Sequence, residues 1–325
     1  MNQNIALALK DWLPYRLIEE SDGAYCRWLY MGNYTFDEPF FDQTISKCRG
    51  LFENSQLKRS VSQIDVLPQW SQGFDSIAPT AIIFHVSRCG STVISQLLGL
   101  NSTNIILSEV PFIDELLRLG VRNKSVEAII QFVESAIKLY GAKRNNSQQN
   151  LFIKTDSWHV HFYEHYRQLY PDSPFIFLYR RPDEVIRSQQ QKRGMQAVPS
   201  VLEAEIFGFD KQVITSMPLD EYMAMVIETY FEAFLEIIPN DPLAIAVNYN
   251  EGMVNIVQKI AAASGITIAE NELFDLRKRT TFHGKHPTQV FAEKQIEVLP
   301  PRYLDKCFEL YNELEKIRLR HRPTS

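Results

Sequence analysis

From Thr80 onward, short apolar runs alternate with stretches whose apolar residues recur every three or four positions. Residues 81–86, 105–108, 151–155, 175–179 and 243–249 are runs of the first kind. Their length and their content of β-branched and aromatic residues predict buried strands. Helical spacing follows each of them, at 92–100, 111–119, 159–169, 182–192 and 253–264. Further helices are predicted at 125–140, 201–215, 219–237 and 301–319. The last is amphipathic, with Leu304, Cys307, Phe308, Tyr311, Leu314 and Ile317 on one face. Strand–helix alternation of this kind predicts an α/β fold, a mostly parallel sheet with helices on both faces.

Residues 1–75 follow a different pattern and predict a small α+β extension ahead of a main domain at 76–325. The segment 25–36 is aromatic and partly alternating, and Gly32-Asn33 is a turn signal, so a hairpin is expected there. A short helix is expected to end at Leu51. No chemical motif stands out in this extension. Residues 277–289 read as a basic polar loop carrying Arg277, Lys278, Arg279, His283, Lys285 and His286.

Composition narrows the class. The 325 residues are 45% hydrophobic and 22% charged, ordinary values for a globular protein with a sizeable core. A formal net charge of -5 argues against a bulk nucleic-acid binder. Cys26, Cys48, Cys89 and Cys307 are scattered and form no CxxC pair, which suits a reduced, cytoplasmic protein. Residues 1–18 lack a continuous apolar core, and no apolar run is long enough to span a bilayer. The oligomeric state stays open.

The chemistry begins at the first strand of the alternating region. After 81–86 the chain turns through Ser87-Arg88-Cys89-Gly90-Ser91-Thr92 into a helix. A helix N-terminus offers backbone N–H groups and partial positive charge to an anion. Gly90 allows close approach, Ser91 and Thr92 add hydroxyls, and Arg88 adds a cation. A triphosphatase would carry G-x-x-x-x-G-K-[ST], and this loop has no such lysine. A second candidate anion site is Arg180, at the end of the strand 175–179, with Ser188 eight residues on. Arg181, Asp183, Glu184 and Arg187 read instead as a surface ion-pair cluster.

Taken together, these features resemble sulfotransferases that use 3′-phosphoadenosine 5′-phosphosulfate, over residues 81 to about 289. The family's 5′-phosphosulfate loop is matched by Arg88-Cys89-Gly90-Ser91-Thr92, with Cys89 where a serine is usual, and its 3′-phosphate site by Arg180 and Ser188. The resemblance is closest to the tyrosylprotein and bacterial Arg-Ser-Gly-Thr-Thr type. That branch carries a catalytic Glu twenty-one residues after the loop's basic residue, here Glu109, and a Lys at the end of the third strand, here Lys154. Tyr170-Pro171-Asp172-Ser173-Pro174 and Val247-Asn248-Tyr249-Asn250-Glu251 fit the same pattern.

The resemblance implies a P-loop-type sheet and sulfuryl transfer from that nucleotide, without a metal, to a hydroxyl or amine. It makes Glu109 the general base and gives Arg88 and Lys154 charge-stabilising roles. Lys285 would belong to a loop covering the nucleotide. The acceptor is left as a small molecule, carbohydrate, lipid or peptide. Asp156 is a competing base, at the place where the cytosolic branch has a His. Two other readings stand beside this one: a non-catalytic nucleotide-binding module on the same fold, and a zinc hydrolase through His161-Phe162-Tyr163-Glu164-His165, an H-x-x-E-H pattern. Ordinary roles are also open to single residues. Lys154 could be a snorkelling surface lysine, and Glu109 a carboxylate favoured by a helix N-terminus.

Overall fold

The computed structural model describes residues 2–36, 38–55, 60–280 and 299–320. Its strands are β1 (Trp12–Glu20), β2 (Gly23–Tyr30), β3 (Ser60–Gln63), β4 (Ala81–His85), β5 (Asn104–Ser108), β6 (Asn150–Lys154), β7 (Phe175–Tyr179) and β8 (Ala244–Asn248). The last five form a parallel sheet in the order β5-β6-β4-β7-β8, flanked by helices. They are the five strands expected from the apolar runs, displaced by at most one residue at either end. β4 and β7 are buried at every position, as strands covered on both faces must be. No helix among the described residues is long and apolar enough to cross a membrane.

The chain forms two compact units. One comprises Met1–Thr80, Ser95–Thr155 and His165–Pro171; the other comprises Ala81–Ile94, Asp156–Glu164 and Asp172–Ser325. In the first unit, β1, β2 and β3 make an antiparallel sheet that packs with the helices Pro111–Arg122 and Val126–Tyr140. Buried polar contacts fix this packing. The Tyr140 hydroxyl donates to the Pro14 carbonyl at 2.5 Å, and Leu17 N–H donates to Glu115 at 2.6 Å. Asn54 ties the extension to itself, through Tyr30 and the Cys48 carbonyl.

In the second unit the core is aromatic. Phe84 of β4 stacks on Phe177 of β7, with ring centroids 5.4 Å apart, and Phe234 packs edge-on against Phe177 at 5.0 Å. Phe234 belongs to the helix Leu219–Ile237, which also packs against the final helix, Asp305–Arg320.

Four expectations are corrected. The hairpin turns at Ser21-Asp22, where Glu20 pairs with Gly23, and Gly32 follows β2 instead of joining two strands. A register shift between Pro14 and Arg16 breaks the alternation of β1, which hides it from a period-two reading. The helix expected at 201–215 is replaced by a 3-10 turn, Ala204–Phe207, and a short helix, Lys211–Ile214. Gly208 ends the first in a left-handed conformation, and the Asp210 carboxylate caps the second by accepting from Gln212 N–H. The helix expected at 159–169 begins as a 3-10 segment, Ser157–Phe162, and becomes α-helical only at Tyr163–Leu169. Residues 277–280 are not loop. They close the helix Glu270–Thr280, whose acidic first turn and basic last turn match the helix dipole. Residues 281–289, with Lys285, lie outside the described residues.

Candidate functional site

The Arg88 loop leaves the buried end of β4 through a backbone that few side chains tolerate. Ser87 has φ 64° and Arg88 has φ 49°, both in the left-handed region, and Gly90 follows at φ 83°. Left-handed non-glycine residues cost of order 1–3 kcal/mol each, so surrounding contacts must hold them. The helix Ser91–Leu98 starts at once, and Gly90 C=O accepts from Val93 and Ile94 N–H at 2.9 and 3.2 Å. The first-turn N–H groups and the buried Ser91 and Thr92 therefore sit at a helix N-terminus. Cys89 is fully buried, and a thiol there fills core space as a small apolar group.

Arg180 is bound into the same loop. Its Nη1 donates to the Arg88 carbonyl at 3.2 Å, and its Nε donates to Glu184 at 2.7 Å. The guanidinium lies 4.0 Å from the centroid of the Tyr249 ring. That ring also walls Gly90: a Cβ at Gly90 would lie 3.0 Å from the ring and 2.8 Å from Met253 Cε. Glycine is thus required there twice, by φ and by space. Ser188 is half-buried two turns along the helix Pro182–Gln191. Arg181 and Arg187 both pair with Asp183, as expected, whereas Glu184 serves Arg180.

Glu109 and Lys154 come together in the other unit. Ser108 and Lys154 are register partners at the carboxyl ends of β5 and β6, and Glu109 N–H extends the ladder to the Lys154 carbonyl at 2.8 Å. Glu109 then turns left-handed, at φ 52°. Lys154 Nζ lies 2.7 Å from Glu109 Oε1, with side-chain exposures of 0% and 28%. A surface lysine is therefore excluded. The pair is close, but its alignment is poor: among the described residues Nζ makes no well-directed hydrogen bond, and neither does the buried Ser108 Oγ. A buried ammonium without directed acceptors is costly, and a bound anion would remove that cost. The Phe40 ring, from the extension, lies 4.9 Å from Nζ.

Asp156 stands at the N-cap of the segment Ser157–Phe162, half-buried, 3.8 Å from His159 Nε2. His161 and His165 fall on either side of the change from 3-10 to α-helix, so the pattern is not one α-helical face. His161 packs against Phe207 and Tyr230, its Nε2 is 3.3 Å from the Thr229 hydroxyl, and burial pushes its pKa down to about 4. Among the described residues no cluster of three metal-ligating groups includes His161 or His165.

No protein-family model matches the sequence, and no curated protein matches it. The fold is similar to those of solved sulfotransferases. The sulfotransferase domain from the curacin biosynthetic pathway shares 16% identity at TM-score 0.47, over 74% of this chain and 99% of that one. Sulfotransferase STF9 from Mycobacterium avium shares 14% at TM-score 0.44, over 78% and 80%. Mouse sulfotransferase SULT7A1, solved in complex with PAP, shares 12% at TM-score 0.39, over 82% and 93%.

Sequence reading missed Ser108, Phe40 and two buried amides near the Arg88 loop, Gln189 and Gln196, which donate to Ser87 Oγ. One of them left a signal. Gln189 falls three and four positions after Ile186 and Val185, so an amide stands on the apolar face of its helix. Phe40 left none, because only the tertiary packing of the extension brings it to Lys154.

Proposed function

We propose that this protein is a sulfotransferase that moves a sulfuryl group from 3′-phosphoadenosine 5′-phosphosulfate to a hydroxyl, or to an amine, of a small-molecule, carbohydrate, lipid or peptide acceptor. The observation that carries the reading is the bond from Arg180 to the Arg88 carbonyl. Two candidate anion sites, 92 residues apart in sequence, thereby adjoin each other, as a ligand with two separate anionic groups requires. The donor set fits such a ligand: helix N–H groups, two hydroxyls and Arg88 for one end, Arg180 and Ser188 for the other.

When bound, the nucleotide supplies the sulfuryl group. Gly90, Ser91 and Thr92, with the Cys89 backbone, hold its 5′ end, and Arg180 and Ser188 hold the 3′-phosphate. Arg88 and Lys154 stabilise negative charge that builds during transfer. Glu109 accepts the proton of the acceptor hydroxyl; its carboxylate is partly exposed, so an acceptor can reach it. Lys285 would join the cover over the nucleotide. All four thiols are buried and none is disulfide-bonded, which supports a cytoplasmic setting.

Thermal shift tests the reading. 3′-Phosphoadenosine 5′-phosphate at a hundredfold excess over its Kd is expected to add about 2.7 kcal/mol, with ATP, ADP and zinc producing less. No shift with this nucleotide would overturn the assignment. With transfer established, Arg88→Ala and Glu109→Ala are expected to abolish it. Full activity in Glu109→Ala and loss in Asp156→Ala would move the base to Asp156.

A further inference from the structure

The left-handed turn Ser87–Arg88 is tied to one segment, residues 180–196, by four side-chain hydrogen bonds, beside the bond that Ser87 N–H donates to His85 Nδ1 at 3.1 Å. Gln196 Nε2 donates to Ser87 Oγ at 2.8 Å, and Gln189 Nε2 donates to the same oxygen at 3.2 Å. Gln189 Oε1 accepts from Gly194 N–H at 2.9 Å, which fixes the amide's orientation. The Arg88 guanidinium donates to the Lys192 carbonyl, and Arg180 reaches back to the Arg88 carbonyl. Gln189 is 0% exposed and Gln196 4% exposed, so neither amide is a surface decoration. Gly194 makes room for them, since a Cβ there would lie 2.5 Å from Gln196 Oε1. The segment is itself anchored to the core helix Leu219–Ile237, because Arg193 and Gln190 both donate to Asp220, at 2.6 and 2.7 Å.

We propose that Gln189 and Gln196 are positioning residues: through Ser87 Oγ they hold the strained turn that aims Arg88 and the following helix N-terminus at the 5′ end of the nucleotide. Two buried amide donors converge on one hydroxyl, and that hydroxyl belongs to a residue whose backbone would otherwise relax to negative φ. The same segment carries Arg180 and Ser188. The piece that receives the 3′-phosphate is therefore the piece that shapes the 5′ loop. The inference rests on reading the loop as the 5′ site.

Calorimetric binding of two probes tests it. 3′-Phosphoadenosine 5′-phosphate uses both ends of the site, and adenosine 3′-phosphate uses only the Arg180 end. In Gln196→Met, Gln189→Met and Ser87→Ala, the preference for the first probe over the second is expected to fall about ten-fold, the value of one well-placed charge-assisted contact. Affinity for adenosine 3′-phosphate is expected to hold. Ser87→Ala/Gln196→Met is expected to match Ser87→Ala, because that change alone already removes the Gln196 bond. The double variant leaves fewer buried amides unsatisfied than Ser87→Ala alone, so it serves if that variant does not fold. An unchanged preference in folded variants, with or without a drop in Tm, would reduce the glutamines to structural braces and overturn the proposal. Failure of the unaltered protein to bind the bisphosphate would overturn the sulfotransferase reading itself, and this inference with it.

Discussion

Lys154 and Glu109 invite a direct comparison, because they form one ion pair with unequal burial. Removing the lysine charge and removing its partner should have opposite effects on stability. Lys154→Met keeps most of the volume and ends the need to hold an ammonium out of water. Replacing buried ions by apolar groups is often neutral or stabilising. Glu109→Gln leaves the buried ammonium without its counter-charge, at an expected cost of about 2 kcal/mol, less than for a fully buried pair because the carboxylate keeps some solvent. Both variants should lose transfer. The check is urea denaturation of each: Lys154→Met at or above the unaltered stability, Glu109→Gln below it. The reverse order would mean that the lysine is held by packing and not by the carboxylate. Part of this arrangement was legible beforehand. A lysine ending an apolar strand and a glutamate following the previous one were both singled out, but neither their pairing nor the complete burial of Lys154 follows from spacing.

At the level of elements, apolar runs located the strands well because β4 and β7 are buried along their whole length, leaving no surface positions to confuse the pattern. Elements set by local backbone chemistry were less visible. Gly208 and Asp210 divide an apolar stretch that reads as one helix. The segment Ser157–Phe162 shows the same limit: the H-x-x-E-H pattern suggests a metal-binding helix, yet the segment is 3-10 and the half-buried His161 packs against Phe207 and Tyr230. Burial there has a measurable consequence. His161 titrates at about 4 in the folded chain, against about 6.5 unfolded. Between those values the unfolded state binds more protons, so this group's contribution is complete above pH 6.5 and is lost as pH falls toward 4. The whole loss is roughly 3 kcal/mol. In His161→Gln the titrating group is gone while an amide can still meet Thr229. The stability gap between the two proteins should therefore close as pH falls from 6.5 to 4, with other acid-sensitive groups cancelling. A gap that stays constant would show that His161 reaches solvent.

For the molecule as a whole, the question is what the first 75 residues contribute. Sequence pattern sets them apart, and no motif links them to the chemistry. Their contacts link them to the helices Pro111–Arg122 and Val126–Tyr140, and Met1–Thr80 shares a compact unit with Ser95–Thr155. The fully buried Tyr140 stacks its edge on Phe41 at 5.4 Å and donates its hydroxyl to Pro14. Arg144 lies 5.7 Å from the Phe36 ring, and Phe40 shields Lys154. The extension therefore covers apolar surface that the remainder of the unit cannot bury by itself. Two measurements follow from this. Tyr140→Phe deletes one buried donor and leaves the Pro14 carbonyl unsatisfied, at an expected cost of about 1–3 kcal/mol with the fold intact. Deletion of residues 1–75 exposes the whole face and should give a chain that fails to unfold cooperatively or that aggregates. If the deleted chain instead unfolded in one sharp transition near the original Tm, the extension would be an appendage. The shielding of Lys154 by Phe40 would then have no place in the function.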